Sequence, residues 1–336
     1  MTVVLKLDAE HPQAEVIDQA ASVIRAGGLV AFPTETVYGL GGDAMNARAI
    51  QKIFEAKGRP ADNPLIVHVC DRAMLDLVAA EVGAKAEALI AALWPGPLTL
   101  VLRRRSEVTE AISAGLSTVA VRMPRSPIAL ELIRQARTPV AAPSANLSGR
   151  PSPTTAAHVA QDLDGRIEMI LDGGAAQIGV ESTVLDVTSE PPVILRPGWV
   201  TRQQLEEAIG RVDVVATEEE LKRSPGTRHR HYSPRVRVLI VEANSPASID
   251  RLCWSLLKVG SVGFIGHTRV DIEHPQFSAI VLENSVEHYA RSIYSALREL
   301  DEEGASVIVV EGISEEGEGA AVMDRLRRAA SSIVDE

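Results

Sequence analysis

Cysteine is almost missing from these 336 residues: there are two, Cys70 and Cys253, far apart and outside any CxxC pair. That spacing excludes a disulfide framework and a zinc knuckle. Aromatic residues make up only 3% of the chain, too few for the stacking platforms that bind single-stranded nucleic acid. There is no G-x-x-x-x-G-K-[ST] run, so a nucleotide here is not held by a P-loop. No apolar stretch approaches the roughly 18 residues that a membrane helix needs. The opening "MTVVLKLDAEHPQ" has no basic start followed by a long apolar region, so no signal peptide is expected. Together these absences point to a soluble, cytoplasmic protein.

What remains is aliphatic and acidic. The chain is 46% hydrophobic and 24% charged, with a formal net charge of -11. The charge is uneven: residues 236–336 hold 9 Lys/Arg against 17 Asp/Glu, whereas the first 235 hold 25 against 28. Non-specific nucleic-acid binding by the last third is therefore disfavoured, while the nearly balanced first part could hold a local basic cavity.

Length favours two domains, and the pattern agrees. Up to about residue 215, helical periodicities ("AEVIDQAASVIRAGG", "ARAIQKIFEAKG", "AKAEALIAALW") alternate with short β-rich runs ("LVAFPT", "PLIVHVC", "LTLVLRR", "TVAVRMP", "STVLDVT"). Hairpin-like neighbours mixed with helical crossovers predict an α/β fold with a mixed sheet. Residues 216–235 read as a linker, polar and broken by Pro225, Gly226 and Pro234. Beyond it, four strands interleaved with helices predict a smaller, Rossmann-like parallel α/β domain over 236–336. Its first strand is not followed by GxGxxG, so dinucleotide binding is not indicated.

Several stretches carry chemistry. In "FPTETVYGLGG", Thr34, Thr36 and a carboxylate stand at a strand end ahead of three glycines, which would let a ligand approach the backbone. In "AKGRPADNPL", Lys57 and Arg59 close a helix; the macrodipole alone favours cations there, but with Asn63 they also form a clamp suited to polyphosphate. His68 alternates onto the same strand face as Ile66, and taken alone it fits a satisfied core histidine better than a ligand-facing one. Arg122 ends a strand that wants burial, so it needs an anion: a substrate carboxylate or an Asp or Glu of the protein. In "APSANLSGRPSPT", Ser144, Asn146 and Ser152 offer hydroxyls and amides, as Asx and Ser turns also would. "ESTVLD" puts Ser182 at a strand start, and "ILRPG" puts Arg196 before a turn.

In order, "FPTETVYGLG", "KGRPADNPLIVHV", "WPGPLTLVL", "VAVRMP", "APSANLSGRPSPT", "ESTVLD" and "ILRPG" resemble the YrdC/TsaC-like threonylcarbamoyl-AMP synthase family over about residues 13–210. The linker "SPGTRHRHYSP" and the region after it look like that family's long form. The resemblance implies residues 1–215 as a YrdC-like catalytic domain, a twisted open sheet around a large, positively lined cavity. It further implies that 216–235 closes over the site and that 236–336 is an extension domain. The implied reaction joins L-threonine, bicarbonate and ATP into threonylcarbamoyl-AMP and pyrophosphate. A partner transferase would then modify ANN-decoding tRNAs. The family's catalytic tetrad falls on Lys57, Arg59, Ser144 and Asn146. Its nucleotide contacts fall on Arg59, Asn63, Thr118, Ser144, Ser152, Arg196 and the linker's Tyr232. Its threonine contacts fall on Thr36 (or Thr34), His68, Arg122 and Ser182. Mg²⁺ would enter with ATP, without direct protein ligands.

Two other readings compete. The basic linker residues Arg228, His229, Arg230, His231 and Arg235 allow a double-stranded RNA or tRNA-stem binding module, or weak RNA binding beside catalysis. A carbamoyltransferase of the hydrogenase-maturation type would share the domain but needs Cys-rich zinc segments, which this chain lacks.

Overall fold

The computed structural model describes residues 1–215, 232–242 and 246–334. They fall into two compact units. The first comprises 1–148, 152–177 and the described residues from 181 to 215; the second comprises 149–151, 178–180 and the described residues from 232 onward. Residues 216–231 of the expected linker, with Arg228 to His231, lie outside the described residues.

The first unit is built on a 12-stranded mixed sheet. Across it run Val3–Lys6, Met169–Asp172, Val30–Pro33, Tyr38–Asp43, Val140–Ala141, Ile66–His68, Thr118–Arg122, Leu98–Arg104, Thr183–Asp186, Val193–Arg196 and Asp213–Val214, with Ala79–Glu81 paired onto Leu98–Arg104. Ile66–His68 is parallel to Thr118–Arg122, and Leu98–Arg104 is antiparallel to Thr118–Arg122 and parallel to Thr183–Asp186. The mixed sheet expected from sequence is thus present.

Alternation divides these central strands between two faces. Val67, Val119, Val121, Leu98, Leu100, Leu102 and Leu185 join the main core, with helices such as Ala14–Arg25 and Pro127–Ala136 packed into it. On the other face, Ile66, Ala120, Val101 and Val184 form a smaller apolar strip with Val193 and Leu195. Ladder register aligns Ile66 with Ala120, and Ala120 with Val101. Because side chains two apart share a face, His68, Arg122 and Thr99 continue this strip at one end, and Thr118 and Arg103 at the other.

The Val30–Pro33 and Tyr38–Asp43 strands form a hairpin whose tip is Thr34–Val37. At Gly41 a Cβ would stand 2.7 Å from Phe32 Cε1 and 2.9 Å from Val140 Cγ1. The close approach there is made by the protein's own side chains, where the sequence had suggested a ligand.

The second unit carries five parallel strands in the order Phe277–Val281, Val262–Gly266, Val307–Glu311, Arg237–Val241, Ser332–Val334. Numbered along the chain this is 3-2-4-1-5. The unit is parallel α/β as expected, but strand four separates strand two from strand one, unlike the 3-2-1-4 order of the dinucleotide fold. Helix Val286–Glu302 buries Tyr289, Ile293, Leu297 and Leu300 on one stripe and is capped by Ser285, whose side chain accepts from His288 N.

Sequence periodicity did not reveal Val3–Lys6, Arg72–Val78, Ala156–Leu163 or Ser332–Val334. Val3–Lys6 is an exposed edge strand whose partner, Met169–Asp172, lies far along the chain. Nothing local alternates to announce it.

Candidate active site

The first cluster of expected site residues is built by a helix stop. Asn46 caps helix Ala47–Lys57, accepting from Arg48 N and Ala49 N. Gly58, at φ 59°, ends the helix in the left-handed region, and Arg59 N reaches back to Phe54 O at 2.9 Å. This Gly closure places Lys57 and Arg59 on either side of one turn. The Lys57 ammonium is buried; Nζ donates to Ser144 O at 2.6 Å and also to Asn146 O. Ser144 Oγ donates to Asn146 Oδ1 at 2.6 Å. Lys57, Ser144 and Asn146 are therefore one bonded cluster. Arg59 directs its guanidinium to Asn63 O (3.3 Å) and Pro64 O (2.9 Å), which brings Arg59 and Asn63 together.

The second cluster, around Arg122, is built by strand register. His68 pairs with Arg122 across the parallel ladder. The guanidinium of Arg122 is held from three sides. Nε donates to Gly96 O at 3.1 Å, and Nη1 donates to Thr36 Oγ1 at 2.8 Å. Nη2 lies 2.7 Å from Glu35 Oε1. The two possible anions for Arg122 thus resolve here to a protein carboxylate. Thr34 is occupied with its own turn: Oγ1 donates to Val37 O at 2.7 Å and sits 2.8 Å from Thr36 Oγ1. Of the two threonines, Thr36 is the one on the arginine.

His68 is buried, edge-on to Phe32 with ring centroids 6.3 Å apart. Burial first, and the neighbouring Arg122 charge second, push its pKa down to about 3. The ring is neutral at physiological pH, and its buried Nδ1 has no hydrogen-bond partner among the described residues. A neutral imidazole can donate from one nitrogen and accept at the other.

Ser182 joins this cluster through a chain of contacts. Its Oγ lies 2.8 Å from Thr99 Oγ1, and Arg196 Nη2 donates to Ser182 O at 2.9 Å and to Ser182 Oγ at 3.2 Å. Ser152 Oγ donates to the Glu181 carboxylate. Thr118 stands at the opposite end of its strand from Arg122, lining a cavity of about 640 Å³ with Arg103, Arg104, Ser117 and Thr188. Because its strand runs parallel to Ile66–His68, Thr118 shares its end of the sheet with Asn63, which precedes that neighbouring strand. Tyr232 belongs to the second unit, where it stacks on Tyr294 (centroids 5.6 Å apart) beneath Arg325 (5.5 Å).

Sequence reasoning noted Glu35 only as the carboxylate beside Thr34 and Thr36, without a role, and passed over Thr99, Gly96 and Glu181. These enter through register or loop path.

The described residues thus form one polar cluster around Arg122 and another around Lys57, on an α/β fold with a large mixed sheet. Comparison with known proteins agrees. The family model Sua5_yciO_yrdC, described as "Telomere recombination", matches residues 22–198. The model Sua5_C, described as "Threonylcarbamoyl-AMP synthase, C-terminal domain", matches residues 200–331. A curated relative from Pyrococcus abyssi, named threonylcarbamoyl-AMP synthase, is 46% identical, the match covering 98% of each chain. One of the same name from Bacillus subtilis is 44% identical over 98% of this chain and 96% of its own. A crystal structure of P. abyssi Sua5 complexed with L-threonine aligns with a TM-score of 0.94 at 44% identity, covering 99% of this chain and 100% of that one. The chain belongs to the Sua5/YciO/YrdC family, in the long form that carries the Sua5 C-terminal domain.

Among the described residues no helix is long and apolar enough to cross a membrane.

Proposed function

We propose that the protein is a threonylcarbamoyl-AMP synthase: L-threonine, bicarbonate and ATP give threonylcarbamoyl-adenylate and pyrophosphate, and a partner transferase passes the threonylcarbamoyl group to tRNA. The observation that carries this is the arrangement of one sheet face. Arg122 and His68 mark one end and Thr118 the other, four residues along a strand, or roughly 13 Å. An amino acid joined through a carbamate to a phosphate is shorter, about 8–9 Å over seven bonds, so the face has length left for further phosphates at the Thr118 end.

In this reading the threonine carboxylate binds Arg122 beside Thr36, and Ser182 completes that end. Neutral His68 hydrogen-bonds the threonine hydroxyl, and a site built for that hydroxyl rejects an analogue lacking it strongly. A carbamate oxygen attacks the α-phosphorus in line, and pyrophosphate leaves away from the amino acid, toward the Asn63 and Thr118 end. Charge that builds on phosphoryl oxygens meets the fixed donors Lys57, Arg59, Ser144 and Asn146. Ser152, Arg196 and Tyr232 would contact the nucleotide.

Among the described residues no three His, Cys, Asp or Glu side chains gather to hold a metal ion. Mg²⁺ would enter with ATP, bound by the triphosphate and water. Two free, buried thiols, Cys70 and Cys253, support the cytoplasmic setting.

The test is pyrophosphate release by the purified protein with ATP and bicarbonate, with and without L-threonine, and with serine as control. Threonine-dependent release is expected; a folded protein releasing none with any amino acid would remove the proposal.

A further inference from the structure

The proposed reaction leaves one buried charge without a task. Glu35, at the tip of the hairpin, is 4% exposed. Its Oε1 lies 2.7 Å from Arg122 Nη2, yet neither carboxylate oxygen accepts a hydrogen bond and Nη2 donates none among the described residues. The charges touch but the N–H directions miss. A buried carboxylate so held keeps much of its desolvation penalty, because its lone pairs are unmet. Such a group in a folded protein calls for an explanation. Thr34 and Glu35 also line a cavity of about 200 Å³ with Pro33, Arg125, Ser126 and Gly173.

We propose that Glu35 holds the place of the substrate carboxylate on Arg122 and, once displaced, accepts the proton of the amino acid's ammonium. This rests on the reading of Arg122 as the carboxylate holder. The Arg122–Glu35 pair is neutral overall, and so is an α-amino acid zwitterion. On binding, the two pairs exchange partners: the substrate carboxylate takes Arg122 and the ammonium meets Glu35. No net charge is brought into a low-dielectric site.

The exchange also prepares the chemistry, since only a free amine can form a carbamate. The ammonium nitrogen gives one proton to a Glu35 oxygen. Glu35 passes it to the hydroxyl of bicarbonate, the C–OH bond breaks, and CO2 and water form. The amine lone pair then makes the N–C bond to CO2, and the nitrogen releases a second proton to solvent. In sum, one ammonium and one bicarbonate become one carbamate, one water and one proton, with no change of oxidation state.

The experiment uses full-length Glu35→Gln and two probes. (R)-3-hydroxybutyrate keeps the carboxylate and hydroxyl of threonine and lacks the amine; L-threonine has all three. With the internal competitor gone, (R)-3-hydroxybutyrate should bind Glu35→Gln at least about tenfold tighter than wild type. Threonine-dependent pyrophosphate release should fall about 100-fold at neutral pH, the usual size of a lost proton acceptor. It should recover as rising pH deprotonates the amine unaided. Glu35→Asp, which keeps the acid, should retain part of the turnover and the wild-type pH profile, and it serves if the glutamine variant folds poorly. Unchanged (R)-3-hydroxybutyrate affinity in a folded variant, or wild-type turnover with an unshifted pH profile, overturns the proposal while the synthase reading stands. A wild-type protein that binds no threonine overturns the reading of Arg122 and this proposal with it.

Discussion

His68 and Arg122 stand opposite each other on neighbouring parallel strands, both buried, and the arginine's charge helps keep the imidazole neutral. That relationship has a consequence for stability. In the unfolded chain the histidine titrates near 6.5, and in the folded protein near 3. Between those values the unfolded state binds a proton that the folded state refuses, so stability falls as pH falls through that window. At pH 5 the loss from this group should be about 2 kcal/mol relative to pH 7. Urea unfolding at the two pH values should show that much more acid sensitivity in wild type than in His68→Leu. Equal sensitivity would mean that the ring titrates freely.

In the proposed function Arg122 would serve both ligand and fold, and the two roles separate by mutation. Arg122→Leu leaves Glu35 as a lone buried charge, and breaking such a pair costs about 3–5 kcal/mol. Removing both charges in Arg122→Leu/Glu35→Leu should restore most of that stability, since apolar replacements of a buried pair are often neutral. Neither variant should bind threonine, because the carboxylate holder is gone. Thermal unfolding and threonine titration of the three proteins distinguish the roles; recovered binding in the double variant would remove Arg122 from the site.

The legibility of this site in sequence followed the range of the forces that build it. Lys57, Gly58 and Arg59 could be read because a helix stop is local: one left-handed glycine and one last-turn cation. His68 could be placed on a face with Ile66 because alternation is local too. Arg122 announced that a buried guanidinium needs an anion, but nothing nearby said which. Glu35 reaches it only because the hairpin tip folds over the strand end. Thr99 meets Ser182 because Leu98–Arg104 and Thr183–Asp186 run side by side, more than eighty residues apart in sequence. Gly96 contributes a carbonyl, which no side-chain motif can advertise.

Lys57 is expected to act through the loop it holds as well as through its charge. Its ammonium donates to two carbonyls of the Ser144–Asn146 segment. Lys57→Ala removes a fixed cation, which in the proposed function faces the phosphates, and frees that loop. Turnover should drop by about 10²–10³, the size seen when one preorganised donor is lost. Hydrogen exchange at Ala145, Asn146 and Leu147 should rise in the same variant. A rate loss with unchanged exchange would assign Lys57 to electrostatics alone.

Tyr232 gives the last test, because two roles converge on one ring. Its backbone lies at φ 66°, a region that a non-glycine residue occupies at a cost of about 1–2 kcal/mol. The stack on Tyr294 and the overlying Arg325 guanidinium hold it there within the second unit. Tyr232→Phe keeps the ring and removes only the hydroxyl, so it should destabilise the second unit less than Tyr232→Ala. Tyr232→Ala loses the stack as well as the buried ring and should destabilise the second unit by about 3–5 kcal/mol, as aromatic-to-alanine changes in cores do. If the ring also contacts the nucleotide, Tyr232→Ala should raise the KM for ATP, and Tyr232→Phe should raise it only as far as the hydroxyl matters. An unchanged KM in Tyr232→Ala, with the second unit measurably weakened, would leave Tyr232 as a packing residue and return the nucleotide contact to another side chain.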